Sequence, residues 1–260
     1  MTKIRPKRKK LNTRDLRSFK NKAKTLSMLT CYDYQTARAL NGTDIDLLLV
    51  GDSLGNVVLG YDTTVEVSLV EMITFAGAVK RGAPDKFVVV DLPFGSYLDL
   101  ESGLKNTCQL FKESKVEAVK LEGAFPYQLE LIERLTQVGI PVMGHIGLTP
   151  QSVHQQGGYY IHGKDESNAK RLIEEAKKLE QAGVFSLVLE CVTTEVSKKI
   201  TEEINVPTIG IGSGSNVDGQ VLVINDLFGM GEENTPSFVS PVANFFELKQ
   251  KLITQYLQTL

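Results

Sequence analysis

Eight short apolar runs, rich in Val, Ile and Leu, recur along this chain with longer amphipathic stretches between them, and that rhythm constrains the fold more than any other feature. The runs cover 26–31, 46–50, 87–90, 118–121, 141–143, 186–189, 207–211 and 220–224. Continuous apolar runs of this length mark strands buried on both faces. Between them, Leu69, Met72, Ile73, Ala76 and Val79 recur at spacings of three and four, as do Ala169, Leu172, Ile173, Ala176 and Leu179. That is the period of a helix with one buried face. Leu129, Ile132 and Leu135 repeat it before the stop signals Gly139 and Pro141, and Gly183 ends the helix that precedes the sixth run. Strand-then-helix units repeated eight times predict a closed α/β barrel of the (β/α)8 TIM type. A doubly wound open sheet, the alternative, usually has fewer strands. The chain of 260 residues has no linker-like tract, so one barrel domain is expected over 25–260, preceded by a basic N-terminal segment with a leading helix over 1–24.

The net charge of −2 conceals an asymmetry. Residues 1–24 hold eleven Lys and Arg against Asp15 alone, a balance of +10, which leaves −12 for the remainder. A basic arm can bind nucleic acid. Here only Phe19 interleaves it, so stacking support is missing, and a solvated segment resting on an acidic neighbour is the simpler expectation. No apolar run reaches 18 residues and no short apolar stretch follows the basic start, so neither a membrane span nor a secretory leader is expected. Cys31, Cys108 and Cys191 are odd in number and far apart, which fits a reducing, cytoplasmic setting rather than a disulfide framework. The three histidines show no zinc-site spacing.

In a barrel the chemistry gathers at the C-terminal strand ends. The second run is followed by Asp52 and Ser53, the third by Asp91; the fourth contains Lys120 and is followed by Glu122, the fifth by His145, the sixth by Glu190. Carboxylates set side by side repel, and three of them favour a cation; oxygen donors suit a hard ion such as Mg2+. Asp52, Asp91 and Glu122 come from adjacent strands and can share one ion, while Glu190, across the barrel mouth, can act as a base. Any one of these residues has a purely structural alternative: Asp52 as a helix cap, Lys120 as an ion-pair partner, His145 as a satisfied core histidine. Their collection at the strand ends is what points to chemistry. The glycines of GIGSG at 210–214 resemble a barrel phosphate site but match neither GxGxxG nor a Walker loop, and no GxSxG nucleophile is present.

The motifs LLVGDSLG at 48–55, RGAP at 81–84, VDLPFG at 90–95, VKLEG at 119–123, GHIGLTPQS at 144–152, LVLECV at 187–192, IGIGSG at 209–214 and DGQVLV at 218–223 occur in an order that resembles the ketopantoate hydroxymethyltransferases, from about residue 11 to 250. The resemblance implies a barrel of the phosphoenolpyruvate-mutase-like type. It also implies transfer of a hydroxymethyl group from 5,10-methylenetetrahydrofolate to 3-methyl-2-oxobutanoate, through a Mg2+-stabilised enolate, to give 2-dehydropantoate on the route to pantothenate and coenzyme A. Matched residue by residue, Asp52, Asp91 and Glu122 take the metal positions, with one Mg2+ per subunit. Asp52, Ser53, Asp91 and Lys120 contact the oxo acid, and Glu190 is the general base. His145 lies in a family motif without an assigned role. Family members form homo-oligomers, many of them decamers, and act on small molecules rather than nucleic acid or membranes. Many also continue beyond the position of Leu260 with a short Pro/His-containing tail that covers the site or contacts a neighbour, and the basic cluster at 3–10 exceeds the family's need. Two rivals stand beside this reading. One is a Mg2+-dependent lyase similar to the phosphoenolpyruvate mutase and isocitrate lyase group, whose KKCGH-type loop is missing here; the other is a non-catalytic module that uses the basic arm.

Overall fold

The computed structural model describes residues 9–21, 24–231 and 235–260. Eight parallel strands, β1 (Leu26–Thr30), β2 (Leu47–Val50), β3 (Phe87–Asp91), β4 (Ala118–Glu122), β5 (Val142–Gly147), β6 (Ser186–Glu190), β7 (Thr208–Ile211) and β8 (Gly219–Leu222), pair in sequence order. β8 pairs back onto β1, with Leu26 opposite Gly219, so the sheet closes into a (β/α)8 barrel. All eight apolar runs are strands. The fifth extends further than its apolar character indicates, through His145 to Gly147.

The α-helices are α1 (Thr13–Arg17), α2 (Tyr34–Asn41), α3 (Leu69–Gly82), α4 (Leu100–Ser114), α5 (Pro126–Gln137), α6 (Val153–Gln156), α7 (Glu166–Ala182), α8 (Thr194–Glu203), α9 (Ile224–Phe228) and α10 (Phe245–Leu257), with short 3-10 or π turns at Ser18–Asn21, Gly55–Leu59, Thr64–Glu66 and Pro150–Ser152. Their starts are encoded locally. Ser68 and Glu71 form a capping box at α3, and Asp33, Asp99 and Asp165 cap α2, α4 and α7 through their side chains. The left-handed Gly183, φ 102°, ends α7.

Alternation along each strand divides the apolar residues into two cores. Leu48, Val50, Val88, Val90, Val119 and Leu187 point outwards and pack against Met72, Ala76, Leu131 and Leu179 of the helices. Met28, Leu47, Leu49, Phe87, Val89, Met143, Val188 and Ile209 fill the barrel interior. Leu16 of α1 and Phe19 just after it belong to this inner core and close its N-terminal end. The basic arm is thereby held against an acidic surface. Lys10 pairs with Glu117, Lys20 with Asp218 at 3.0 Å, and Lys24 with Asp46 at 2.9 Å. Lys3, Arg5, Lys7, Arg8 and Lys22 lie outside the described residues. Cys31, Cys108 and Cys191 are unpaired. Among the described residues, no helix is long and apolar enough to cross a membrane. α10 buries none of its side chains and exposes Leu252, Ile253, Tyr256 and Leu257.

Candidate active site

On β3 to β6 the strand face that fills the barrel carries apolar residues below and ends in charged or ionisable side chains towards its C-terminal end. On β3 the inward positions run Phe87, Val89, Asp91; on β4 Ala118, Lys120, Glu122; on β5 Met143, His145; on β6 Val188, Glu190. Parallel register sets Lys120 beside Asp91, Glu122 beside His145, and Gly147 beside Glu190. A row of charged groups therefore lies on top of the apolar plug.

The contacts are continuous. Lys120 Nζ stands 3.1 Å from Asp91 Oδ1, 3.9 Å from Glu122 Oε1 and 3.1 Å from His145 Nδ1. His145 Nδ1 is 3.4 Å from Glu122 Oε1, and its Nε2 is 3.3 Å from Glu190 Oε2, so the ring bridges two carboxylates. Asp52, just beyond β2, joins through its backbone N–H, which donates to Asp91 Oδ2 at 3.1 Å. Ser53 is turned to the side, where its hydroxyl meets the Tyr32 hydroxyl at 2.8 Å. Of the residues singled out from the sequence, Asp52, Asp91, Lys120, Glu122, His145 and Glu190 thus form one cluster, with Ser53 on its border. Asp52 does not cap a helix with its side chain; it accepts from Gln151 Nε2 at 2.7 Å.

Burial controls the electrostatics. Asp52, Asp91, Lys120, Glu122 and His145 are all buried, whereas the Glu190 side chain is 21% exposed and is the member of the group open to an incoming ligand. Burial, reinforced by Asp91 and Glu122, drives the Asp52 carboxyl well above its ordinary range. Burial also raises Asp91, against the opposing pull of Lys120. Burial pushes Glu122 the same way, but the hydrogen bond and charge of His145, with Lys120 and the Gln151 N–H, outweigh it and hold Glu122 below its usual value. His145 is lowered by burial and by Lys120, yet Glu122 and Glu190 raise it to about 9. The 3.1 Å approach of Lys120, a donor only, demands the opposite state, an unprotonated Nδ1. The carboxylates on both sides of the ring decide the direction, which is upward.

A cation fits this donor set. Asp52, Asp91, Glu122 and Glu190 set four carboxyl groups against two cationic groups at most, Lys120 and protonated His145. Asp91 Oδ1, for all its nearness to Lys120, is a buried oxygen without an aligned hydrogen bond. A divalent cation would favour the ionised form of the carboxyls that burial and mutual repulsion raise, and the donors are oxygens, as Mg2+ and similar hard ions require. The three carboxylates do not form a ready-made cage in this conformation. Among the described residues, no three His, Cys, Asp or Glu side chains are arranged to hold a metal. An ion held by these carboxylates would draw water and substrate oxygens to complete its shell.

Two residues that sequence reasoning left without a role complete the cluster. Gln151 lies in the GHIGLTPQS motif, and Tyr97 hydrogen-bonds to it; the motif was the only signal for the first, and nothing local marked the second. The GIGSG segment has a packing role here. A Cβ on Gly214 would lie 2.4 Å from Thr194 Oγ1, and Ser213 Oγ donates to the Leu189 carbonyl at 2.6 Å. Beside Glu122, a cavity of about 310 Å3 opens between the rim loops, lined by Gly123, Gly147, Thr149, Tyr160 and Arg171.

Comparison with known proteins bears on the fold and on the sequence as a whole. Among solved structures, a putative phosphonomutase from Burkholderia cenocepacia J2315 superposes with a TM-score of 0.67 at 13% identity, covering 95% of this chain and 98% of that one. A 2,3-dimethylmalate lyase, a member of the phosphoenolpyruvate mutase/isocitrate lyase superfamily, gives 0.60 at 15% identity over 82% and 78%. At such identities the likeness is one of fold. In sequence, the 3-methyl-2-oxobutanoate hydroxymethyltransferase of Leptospira interrogans is 49% identical over 232 residues, 89% of this chain and 88% of that protein. The family model described as ketopantoate hydroxymethyltransferase matches residues 10–260. With the strand-end cluster in place and nearly the whole length matched, the chain belongs to the ketopantoate hydroxymethyltransferase family.

Proposed function

We propose that the chain transfers a hydroxymethyl group from 5,10-methylenetetrahydrofolate to C3 of 3-methyl-2-oxobutanoate, forming 2-dehydropantoate for pantothenate and coenzyme A synthesis in the cytoplasm. The observation that carries this reading is the single cluster of Asp52, Asp91, Lys120, Glu122 and Glu190 at the strand ends, within family motifs. Asp52, Asp91 and Glu122 would hold one Mg2+ per subunit. When bound, such an ion draws charge from the oxygens of a 2-oxo acid and so acidifies its C3–H.

The chain's own residues then divide the work. Lys120 offsets the negative charge of the oxo acid and the charge that develops as C3 loses its proton. Asp52, Ser53 and Asp91 orient the acid. Glu190, the least buried carboxylate of the cluster, takes the proton from C3, and His145 beside it holds the carboxylate in place. C3 then forms a bond to the folate methylene carbon. Both bonds from that carbon to the folate nitrogens break; the nitrogens take up the proton from Glu190 and one proton of a water molecule, whose remaining hydroxyl ends on the methylene carbon, and tetrahydrofolate leaves. The buried floor beneath the cluster excludes water from the charged groups.

Family resemblance also points to a homodecamer, and the apolar residues exposed along α10 support a self-association surface. The test of the reaction is the two-substrate assay with purified protein and Mg2+. Formation of 2-dehydropantoate that requires both the folate and the oxo acid is expected. Turnover of a different 2-oxo acid with no folate requirement would contradict the reading.

A further inference from the structure

Gln151 organises the carboxylates without belonging to them. It lies in the 3-10 turn Pro150–Ser152 after β5 and is buried. Its Nε2 donates to Asp52 Oδ2 at 2.7 Å and to the Leu92 carbonyl at 2.9 Å. Its Oε1 accepts from the Tyr97 hydroxyl at 2.5 Å. Its backbone N–H donates to Glu122 Oε2 at 3.1 Å. One residue therefore grips a carboxylate beyond β2, a carbonyl beyond β3 and a carboxylate at the end of β4.

The direction of the amide is determined by its partners. A carboxylate and a carbonyl accept only, so the side facing them must be Nε2 with its two N–H groups. The phenol on the other side donates to Oε1. A reversed amide would set its oxygen against Asp52 and Leu92 and its N–H groups against the Tyr97 O–H. Asp52, Tyr97 and Gln151 are all buried, so water cannot replace a lost partner.

We infer that Gln151 is a positioning residue for the cation site, with Tyr97 as its orienter. By engaging Oδ2 of Asp52, the amide fixes that carboxylate's rotation, and Oδ1 is the oxygen that would serve a cation. The backbone bond to Glu122 sets the second carboxylate from the same turn. The inference rests on the reading of Asp52, Asp91 and Glu122 as metal carboxylates. Removing a partner that orients a metal carboxylate lowers metal affinity without removing a ligand.

The experiment measures Mn2+ binding by electron paramagnetic resonance of the free ion, on the full chain without substrate. Wild type is compared with Gln151→Met, which keeps side-chain length but loses the amide, and with Tyr97→Phe, which loses only the O–H. Circular dichroism confirms folding of each. The Mn2+ dissociation constant is expected to rise about 10- to 100-fold in Gln151→Met and about three- to tenfold in Tyr97→Phe. The metal concentration for half-maximal turnover should rise in step, while kcat at saturating metal recovers to within about threefold of wild type. A purely structural role would lower the melting temperature and leave the metal affinity of the folded protein unchanged. Unchanged affinity in folded Gln151→Met, or in Tyr97→Phe if the first variant does not fold, overturns the inference and leaves the family reaction intact. A wild type that binds no Mn2+ overturns the metal reading, and this inference with it.

Discussion

Asp52 shows how strongly the site is loaded. Burial, with Asp91 and Glu122 close by, holds its carboxyl far above the ordinary range, and Lys120 and Gln151 offset this only in part. A divalent cation that relieves this repulsion binds the folded state and not the unfolded one, so it stabilises the fold by mass action. Protein stripped with EDTA should melt at a lower temperature, and Mg2+ at a hundred times its dissociation constant should add about 2.7 kcal/mol. Differential scanning calorimetry over a Mg2+ series checks this; a melting temperature indifferent to Mg2+ would count against a cation site. Much of this residue-level picture was legible beforehand, because Asp91, Lys120, Glu122 and Glu190 interrupt or end otherwise apolar runs. Gln151 was not. Its bond to Asp52 spans 99 residues, and no local pattern encodes a contact across the barrel mouth. Tyr97 is equally silent in sequence, since a buried tyrosine before a helix reads as core.

At the scale of the element, strand order was legible from apolar runs, and strand length was not. β5 continues through His145 to Gly147 because the inward face of a barrel strand need not stay apolar near its C-terminal end. The end of that strand is constrained by the next. Gly147 has φ 97°, and a Cβ there would lie 2.2 Å from the Glu190 carbonyl oxygen and 2.6 Å from Val192 Cγ2. That same carbonyl accepts from Leu148 N–H at 2.8 Å, so the turn after β5 sets the backbone that presents Glu190. Gly147→Ala combines a strained left-handed backbone with a backbone clash and should cost about 2–5 kcal/mol. In the fraction that folds, displacement of Glu190 should lower kcat. Urea denaturation and steady-state kinetics measure the two effects; wild-type stability would show that the two strands are not packed as described.

For the molecule as a whole, the barrel interior differs in chemistry from one end to the other. The N-terminal end is closed by apolar side chains and by ion pairs from the basic segment, while the C-terminal end holds the charges. Composition alone showed the basic excess but not its use, because the acids it meets, Glu117, Asp218 and Asp46, are scattered far along the chain. Leu16, 1% exposed, seals the inner core. Leu16→Ala should destabilise the protein by about 2–5 kcal/mol in chemical denaturation and leave KM for the oxo acid unchanged. A changed KM with intact stability would link that end to the site. The central claim concerns the other end: that the strand-end cluster abstracts the C3 proton of 3-methyl-2-oxobutanoate, with Glu190 as the base. Deuterium exchange at C3, followed by NMR in D2O with Mg2+, with EDTA and with Glu190→Gln, tests it most directly. The account predicts exchange that needs Mg2+ and falls by about 100-fold or more in Glu190→Gln. Exchange that persists in Glu190→Gln would contradict the assignment of the base, and metal-independent exchange would contradict the role given to the carboxylates.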